Sequence, residues 1–378
     1  MSLLSAAQRR AVLIQCGADA ALTASLLEYG ESPYQPESAT GGEAAGDEPH
    51  VAVWELYRAR AAEVGAFAAL RERFAQLRFP VAEGMSREPA YRAATLRGEF
   101  GEAEAWAPGL ELRQPDGLTL EIAQSAAGRV PVLIVAERAD FEALVRAFTE
   151  RNEPAGVPAS MGACLVSGLI NWHRIALYRD EWARNDDDGS DAGWAMEFKT
   201  LVSRKALYQD RLVLLSSGPY SAVPAGECGG APGDWPARSV LIRREHELFH
   251  YFTYRRFGRI RTHVFDELLA DFAGLVGADG VYRAGLALRF LGLDRFPAIR
   301  DDGRFLNYVS DRLPPAAWPV VAALAVRASR RLETIAATHA PLLQTPSGML
   351  QVLLALCPLA LDELASEAAL AHIAARLS

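Results

Sequence analysis

Residues 241–258 read LIRREHELFHYFTYRRFG, with His246 and His250 one helical turn apart and Glu247 directly after the first. Histidine is scarce in this chain, seven in 378 residues, so two of them around a carboxylate call for a reason. On an α-helix, positions four apart are separated by about 40° around the axis and one turn along it, so both imidazoles can reach one ion. Glu247 lies about 100° round from His246, beside such an ion rather than on it. A general base has to sit there to take a proton from water at the metal. Zinc suits the two histidines, because it accepts imidazole and leaves a position open for water. The flanks support a helix, since Pro236 fits its first turn and Gly258 its end. Leu241, Leu248 and Phe252 form a stripe opposite the histidines that is expected to pack the helix into the body of the protein.

Three fixed residues arise by accident in roughly one chain in a hundred of this length. Two histidines on a buried helix can also be hydrogen-bonded core residues. A third ligand separates these readings. Sixteen positions, 251 to 266, lead from His250 to Glu267 in the stretch DELLADF, where Glu267 and Asp271 again fall four apart on a helical pattern. Glu267 would complete a His/His/Glu set. Asp271 would accept the free ring N–H of a liganding histidine, which fixes its tautomer and raises its basicity.

HExxH followed by ExxxD on the next helix resembles the gluzincins, the thermolysin-like clan of zinc metallopeptidases. The resemblance covers residues 246–271, with a spacer shorter than is usual in that clan, which leaves Asp266 as the lesser candidate for third ligand. It implies that His246, His250 and Glu267 bind zinc, that Glu247 is the general base and that Asp271 supports His246. A hydrolase of this kind also needs a donor for the oxyanion, usually His, Tyr or Arg. Candidates downstream are His263, Tyr282, Arg304 and Tyr308, with Arg243 and Tyr254 on the metal side of the first helix. Two upstream stretches, FPVAEGMS (79–86) and VPASMGACLVSGLINW (157–172), look like those of an uncharacterised bacterial family. Chemically they are Gly- and Ser-containing turns beside apolar runs.

Working outward, Val51 to Leu77 carries a long helical pattern. LELRQPDGLTLEI (110–122) reads as a hairpin around Pro115-Asp116-Gly117. VPVLIVA (130–136) and RLVLLSS (211–217) are strands, the first followed by Asp140 capping the helix FEALVRAFTER. RLVLLSS is placed to be an edge strand onto which an extended substrate could add. From Ala237 onward the pattern is nearly all helix. The expected architecture is α+β and zincin-like: a helical N-terminal region over 1–105, then a metal-binding domain over 106–378 with strands at about 110–217, the histidine helix at about 237–257 and a helical remainder. Residues 31–50 read as a mobile linker and 184–193 as a solvated acidic loop. Calcium is disfavoured in that loop because Arg184 would take the first ligand position.

Half the residues are hydrophobic and 23% are charged, an ordinary globular balance, and a net charge of −8 argues against a nucleic-acid partner. Four cysteines without a CxxC spacing suit a reducing compartment. The first residues place arginines inside an apolar stretch, unlike a secretory signal, and the longest uncharged run is broken by prolines and glutamines, unlike a membrane span. The expectation is a bacterial-type cytoplasmic zinc hydrolase, a metallopeptidase or amidohydrolase acting on a peptide or small amide. The alternatives are a scaffold protein with a structural or vestigial zinc site, and a zinc enzyme acting on a small non-peptide molecule. An intact Glu247 favours catalysis, because a structural site has no use for a free carboxylate there.

Overall fold

The computed structural model describes residues 3–34, 46–101, 106–185, 190–229 and 232–377. Of the expected mobile linker, residues 35–45 lie outside the described residues, as do 186–189 of the acidic loop. The fold is α+β, with one small mixed sheet and a helical C-terminal region.

The chain divides into two units. One comprises Gly46–Gln124 and Gly128–Gly218 and holds the sheet. Its strands are β1 (Leu118–Ser125), β2 (Gly128–Val135), β3 (Ala163–Ile170) and β4 (Gln209–Ser216), in the order β1-β2-β4-β3. β2 runs parallel to β4, with Val132 opposite Val213, and β3 is antiparallel to β4 with Leu165 opposite Val213. Leu212, Val213, Leu214 and Leu215 are all fully buried, as a continuous apolar run in a central strand should be. β4 is therefore not the edge strand that the sequence suggested, and both its sides are already paired.

The expected hairpin turn also moves. Pro115–Gly117 forms a single 3₁₀ turn that leads into β1, and the connection to β2 is Ala126-Ala127, short enough only for an antiparallel hairpin. Helices Val51–Val64 and Arg138–Thr149 supply the core that covers the sheet, with Trp54, Tyr57, Phe141 and Leu144 clustered against Leu133, Val135, Leu212 and Leu214. The helical pattern of 51–77 breaks at Gly65, which takes φ +88°. Asp140 is not an N-cap. It sits in the first turn, and its carboxylate accepts from the backbone N–H groups of Arg113 (2.7 Å) and Gln114 (2.8 Å).

The other unit gathers Met1–Ala45, Ser125–Ala127 and Pro219–Ser378. This partition differs from the expected boundary at 105/106, because the first two helices, Ala6–Gln15 and Ala20–Gly30, belong with the C-terminal ones. Leu13 and Leu26 share a core with Leu332, Leu356 and Leu364. Arg9 binds both oxygens of Asp362, at 2.7 and 2.8 Å, in a buried ion pair. Around them run Trp318–Thr338, Pro346–Leu356, Leu361–Ala365 and Ala368–Leu377. No single helix among the described residues is long and apolar enough to cross a membrane.

Within this unit the histidine helix (Trp235–Phe257) starts with proline in its first turn and stops at Gly258 in the left-handed region, as expected. The acid helix (Val264–Asp279) follows after a short connection. Contacts pair His250 with Glu267, His246 with Asp271 and Ile242 with Gly274, so the two helices run antiparallel. Leu248 and Phe252 are buried, but Leu241 is 38% exposed, so the apolar stripe is shorter than the sequence suggested.

Candidate metal centre

The acid helix is buried from Val264 to Val276, including its three carboxylates, and the histidine helix buries both imidazoles. Charged groups this deep persist only when partnered. Here Glu267 and Asp271 are partnered with the histidines. His246 Nε2 and His250 Nε2 lie 3.2 Å apart, and the two Glu267 carboxylate oxygens are 3.5 Å from His246 Nε2 and 3.6 Å from His250 Nε2. A tetrahedron built on metal–ligand bonds of about 2.0–2.1 Å has edges of about 3.3–3.4 Å. The two imidazole nitrogens are spaced close to one edge of such a tetrahedron, the Glu267 carboxylate turns one oxygen to each of them, and the cluster can hold a metal ion.

The surroundings fit that role. His246 Nδ1 faces Asp271 Oδ1 at 3.0 Å, which places the ring proton on Nδ1 and leaves the Nε2 lone pair turned to the cluster. Asp271 is in turn clamped by Arg304, whose Nη2 lies 2.8 and 2.6 Å from its two oxygens. Arg304 Nη1 (3.1 Å) and the Tyr308 hydroxyl (2.9 Å) both donate to Glu267 Oε2. Burial alone would raise the carboxyl groups of Glu267 and Asp271, but the histidines and Arg304 outweigh it and hold both below their usual range. Burial likewise pushes the His250 imidazole down, and the hydrogen bond and charge of Glu267 reverse this, lifting it to about 9. One departure from a fully supported ligand set remains: His250 Nδ1 is buried without a hydrogen-bond partner among the described residues.

Glu247 is half-buried and its carboxylate makes no hydrogen bond or ion pair among the described residues, although its charge acts on His250. It follows His246 directly on the helix, and its charge is near enough to act on His250.

The other candidates divide. Tyr308 and Arg304 are at the site, but as donors to Glu267 and Asp271. Arg243 is buried on the near side, with Nη2 donating to the Pro219 carbonyl at 3.1 Å. Tyr254 lies half-buried one turn beyond His250. His263 is not at the cluster. It is the N-cap of the acid helix, accepting from Phe265 N–H at 3.4 Å, and its ring lies 3.7 Å from that of Tyr29. Tyr282 is a core residue bonded to Ser329 at 2.9 Å. Asp266 points away from the histidines, to the Tyr34 hydroxyl and Arg261 Nε. Glu267 is thus the third donor.

Sequence reasoning missed Tyr220. Its hydroxyl lies 2.7 Å from His246 Nδ1 and 2.6 Å from Asp271 Oδ1, yet it stands alone after a Gly-Pro turn, with no periodicity or motif to single it out.

An α+β protein with an enclosed His/His/Glu cluster and an uncommitted glutamate beside it is the class that fold and site define. Over residues 11–368 the chain matches the model of a family of unknown function, DUF7005, and it belongs to that family. No curated protein and no solved structure matches it.

Proposed function

We propose that this protein is a zinc-dependent hydrolase that cleaves a peptide or amide bond, with His246, His250 and Glu267 as zinc ligands and Glu247 as general base. The observation that carries the proposal is the buried His246, His250 and Glu267 cluster that could hold one ion, with Glu247 acting on His250 by its charge and bonded to no partner among the described residues. When bound, zinc would supply a Lewis acid for the substrate carbonyl and make water acidic enough to lose a proton near neutral pH. Glu247 accepts that proton and delivers it to the leaving amine. Asp271 keeps the His246 proton on Nδ1, so that Nε2 remains a ligand. Arg304 and Tyr308 hold Glu267 in place and offset its charge.

The enclosure of the cluster favours a second reading. His246, His250 and Glu267 are 4%, 7% and 4% exposed, as the ligands of a purely structural ion would be. One experiment separates the two. Purified protein should carry about one zinc per chain, and a panel of peptides and amides should include one that is hydrolysed. Glu247→Gln keeps the shape and removes the base. It should retain zinc while hydrolysis falls by at least about a hundredfold. Absence of zinc would refute the site, and an unaltered rate at equal zinc loading would refute the mechanism. If zinc is present and no member of the panel turns over, the structural reading gains.

A further inference from the structure

Tyr220 is held more firmly than a core tyrosine needs to be. Its backbone N–H donates to Ser239 Oγ at 3.1 Å, and Ser239 is fully buried on the histidine helix. Phe290 meets its ring edge-on at 4.8 Å, while the guanidinium groups of Arg304 and Arg243 lie 5.2 and 5.6 Å from its centroid. The two residues that follow, Ser221 and Ala222, are left-handed at φ +51° and +56°. A left-handed backbone at a residue other than glycine is disfavoured and persists where the surroundings impose it. What this turn achieves is the placement of one hydroxyl between an imidazole and a carboxylate.

We infer that Tyr220 is a positioning residue of the metal centre, its hydroxyl donating to Asp271 and accepting from His246 Nδ1–H so that the His246 ring is locked with Nε2 toward the ion. Asp271 Oδ1 already receives Arg304 Nη2 at 2.8 Å and the Tyr220 hydroxyl at 2.6 Å, and the His246 nitrogen is further away at 3.0 Å. The shorter bond from His246 is the one to the phenol, at 2.7 Å. Aspartate alone is therefore an overcommitted acceptor, and the tyrosine takes up part of the load. The Asp271–His246 support expected from the sequence is in fact a three-membered unit.

The inference rests on the zinc-site reading, and its test distinguishes the two. Zinc affinity is measured by competition with a chromophoric chelator for wild type, Tyr220→Phe, Asp271→Asn and the double variant, with melting of each metal-free protein alongside. Tyr220→Phe keeps the ring packed against Phe290 and should melt near wild type, while binding zinc about tenfold to a hundredfold more weakly. Because both residues act through His246, the double variant should lose less than the product of the two single losses. A smaller loss in Tyr220→Phe, or losses that simply multiply, overturns the inference. Nitrogen-15 shifts of the zinc-loaded wild type provide a readout that needs no variant to fold. His246 must show a protonated Nδ1 and a metal-bound Nε2, and the reverse overturns it. If the wild type takes up no zinc, the hydrolase reading fails and this inference falls with it. If wild type and Tyr220→Phe bind zinc equally, only the role of Tyr220 is lost.

Discussion

Asp271 and Glu247 are both carboxylates within reach of the histidines, yet substitution should affect them in opposite ways. Glu247 is uncommitted, so its removal should leave the fold alone. Asp271 is completely buried beneath Arg304, and taking away its charge leaves a guanidinium without its counter-ion. Breaking such a pair costs about 3–5 kcal/mol. Asp271→Asn should therefore lower the melting temperature as well as weaken zinc binding about tenfold to a hundredfold. Calorimetry of the metal-free variant and chelator competition check the two effects separately, and an unchanged Tm with unchanged affinity would return Asp271 to a bystander. The donors and the supporting aspartate were legible because helical spacing fixes which side chains share a face. Tyr220 was not, and Arg304 stood out only as an oxyanion donor, since they reach Asp271 from 51 residues before it and 33 after it. No local pattern encodes such a meeting.

At the scale of elements, the spacing of the two site helices is set by glycine. A Cβ on Gly274 would sit 2.8 Å from the Ile242 carbonyl oxygen and 3.6 Å from His246 Cβ, so the acid helix approaches the histidine helix backbone to backbone. Gly274→Ala has to push the helices apart, at about 1–3 kcal/mol, and should pull Glu267 and Asp271 off the histidines. Gly285 makes the control. It lies in the first turn of the helix Ala284–Leu291 with open space where its Cβ would be, so Gly285→Ala should not destabilise. Denaturant midpoints and zinc affinity of the two variants test this. A Gly274→Ala protein as stable and as tight as wild type would contradict the packing. The long periodic elements were readable, as were β2 and β4. β3 is hard to read from sequence because Ser167-Gly168 breaks its alternation, and the break is a bulge between Ser167 and Leu169. The hairpin was misplaced because Pro-Asp-Gly is a strong turn signal, and here that turn precedes the strand instead of joining two.

For the whole molecule, the buried histidines set how stability responds to pH. Burial, reinforced by Arg261 and Arg312, pushes His263 from an ordinary 6.5 down to about 2. Above pH 6.5 it is neutral folded and unfolded, and contributes no slope. Below that the unfolded chain takes up a proton that the folded one refuses, so stability should fall by about 1.4 kcal/mol per pH unit from this group. His250 has the opposite sign, because its folded value of about 9 lies above 6.5. Its contribution is complete below pH 6.5 and is lost as pH rises through 9. In metal-free protein the two windows meet near pH 6.5. His263→Asn keeps a cap on the acid helix and should flatten only the acid side, seen as a smaller drop in denaturant midpoint between pH 7 and 5. An equal drop in both proteins would rule His263 out as the cause.

The buried bond between Arg9 and Asp362 joins residues 353 apart in sequence. A ribosome adding about 5–20 residues per second reaches Asp362 roughly 20–70 s after Arg9. Throughout that interval Leu13 and Leu26 have no finished core to enter. Tyr34, which later seals Asp266 beside the third donor, waits as long for Cys357, whose carbonyl accepts from neighbouring Ser32. The inserted segment from Gly46 to Gly218 faces no such delay, since every strand of its sheet has been made by Ser216. Synthesis thus imposes an order in time: the sheet can close while the chain is growing, and the first two helices find their partners last.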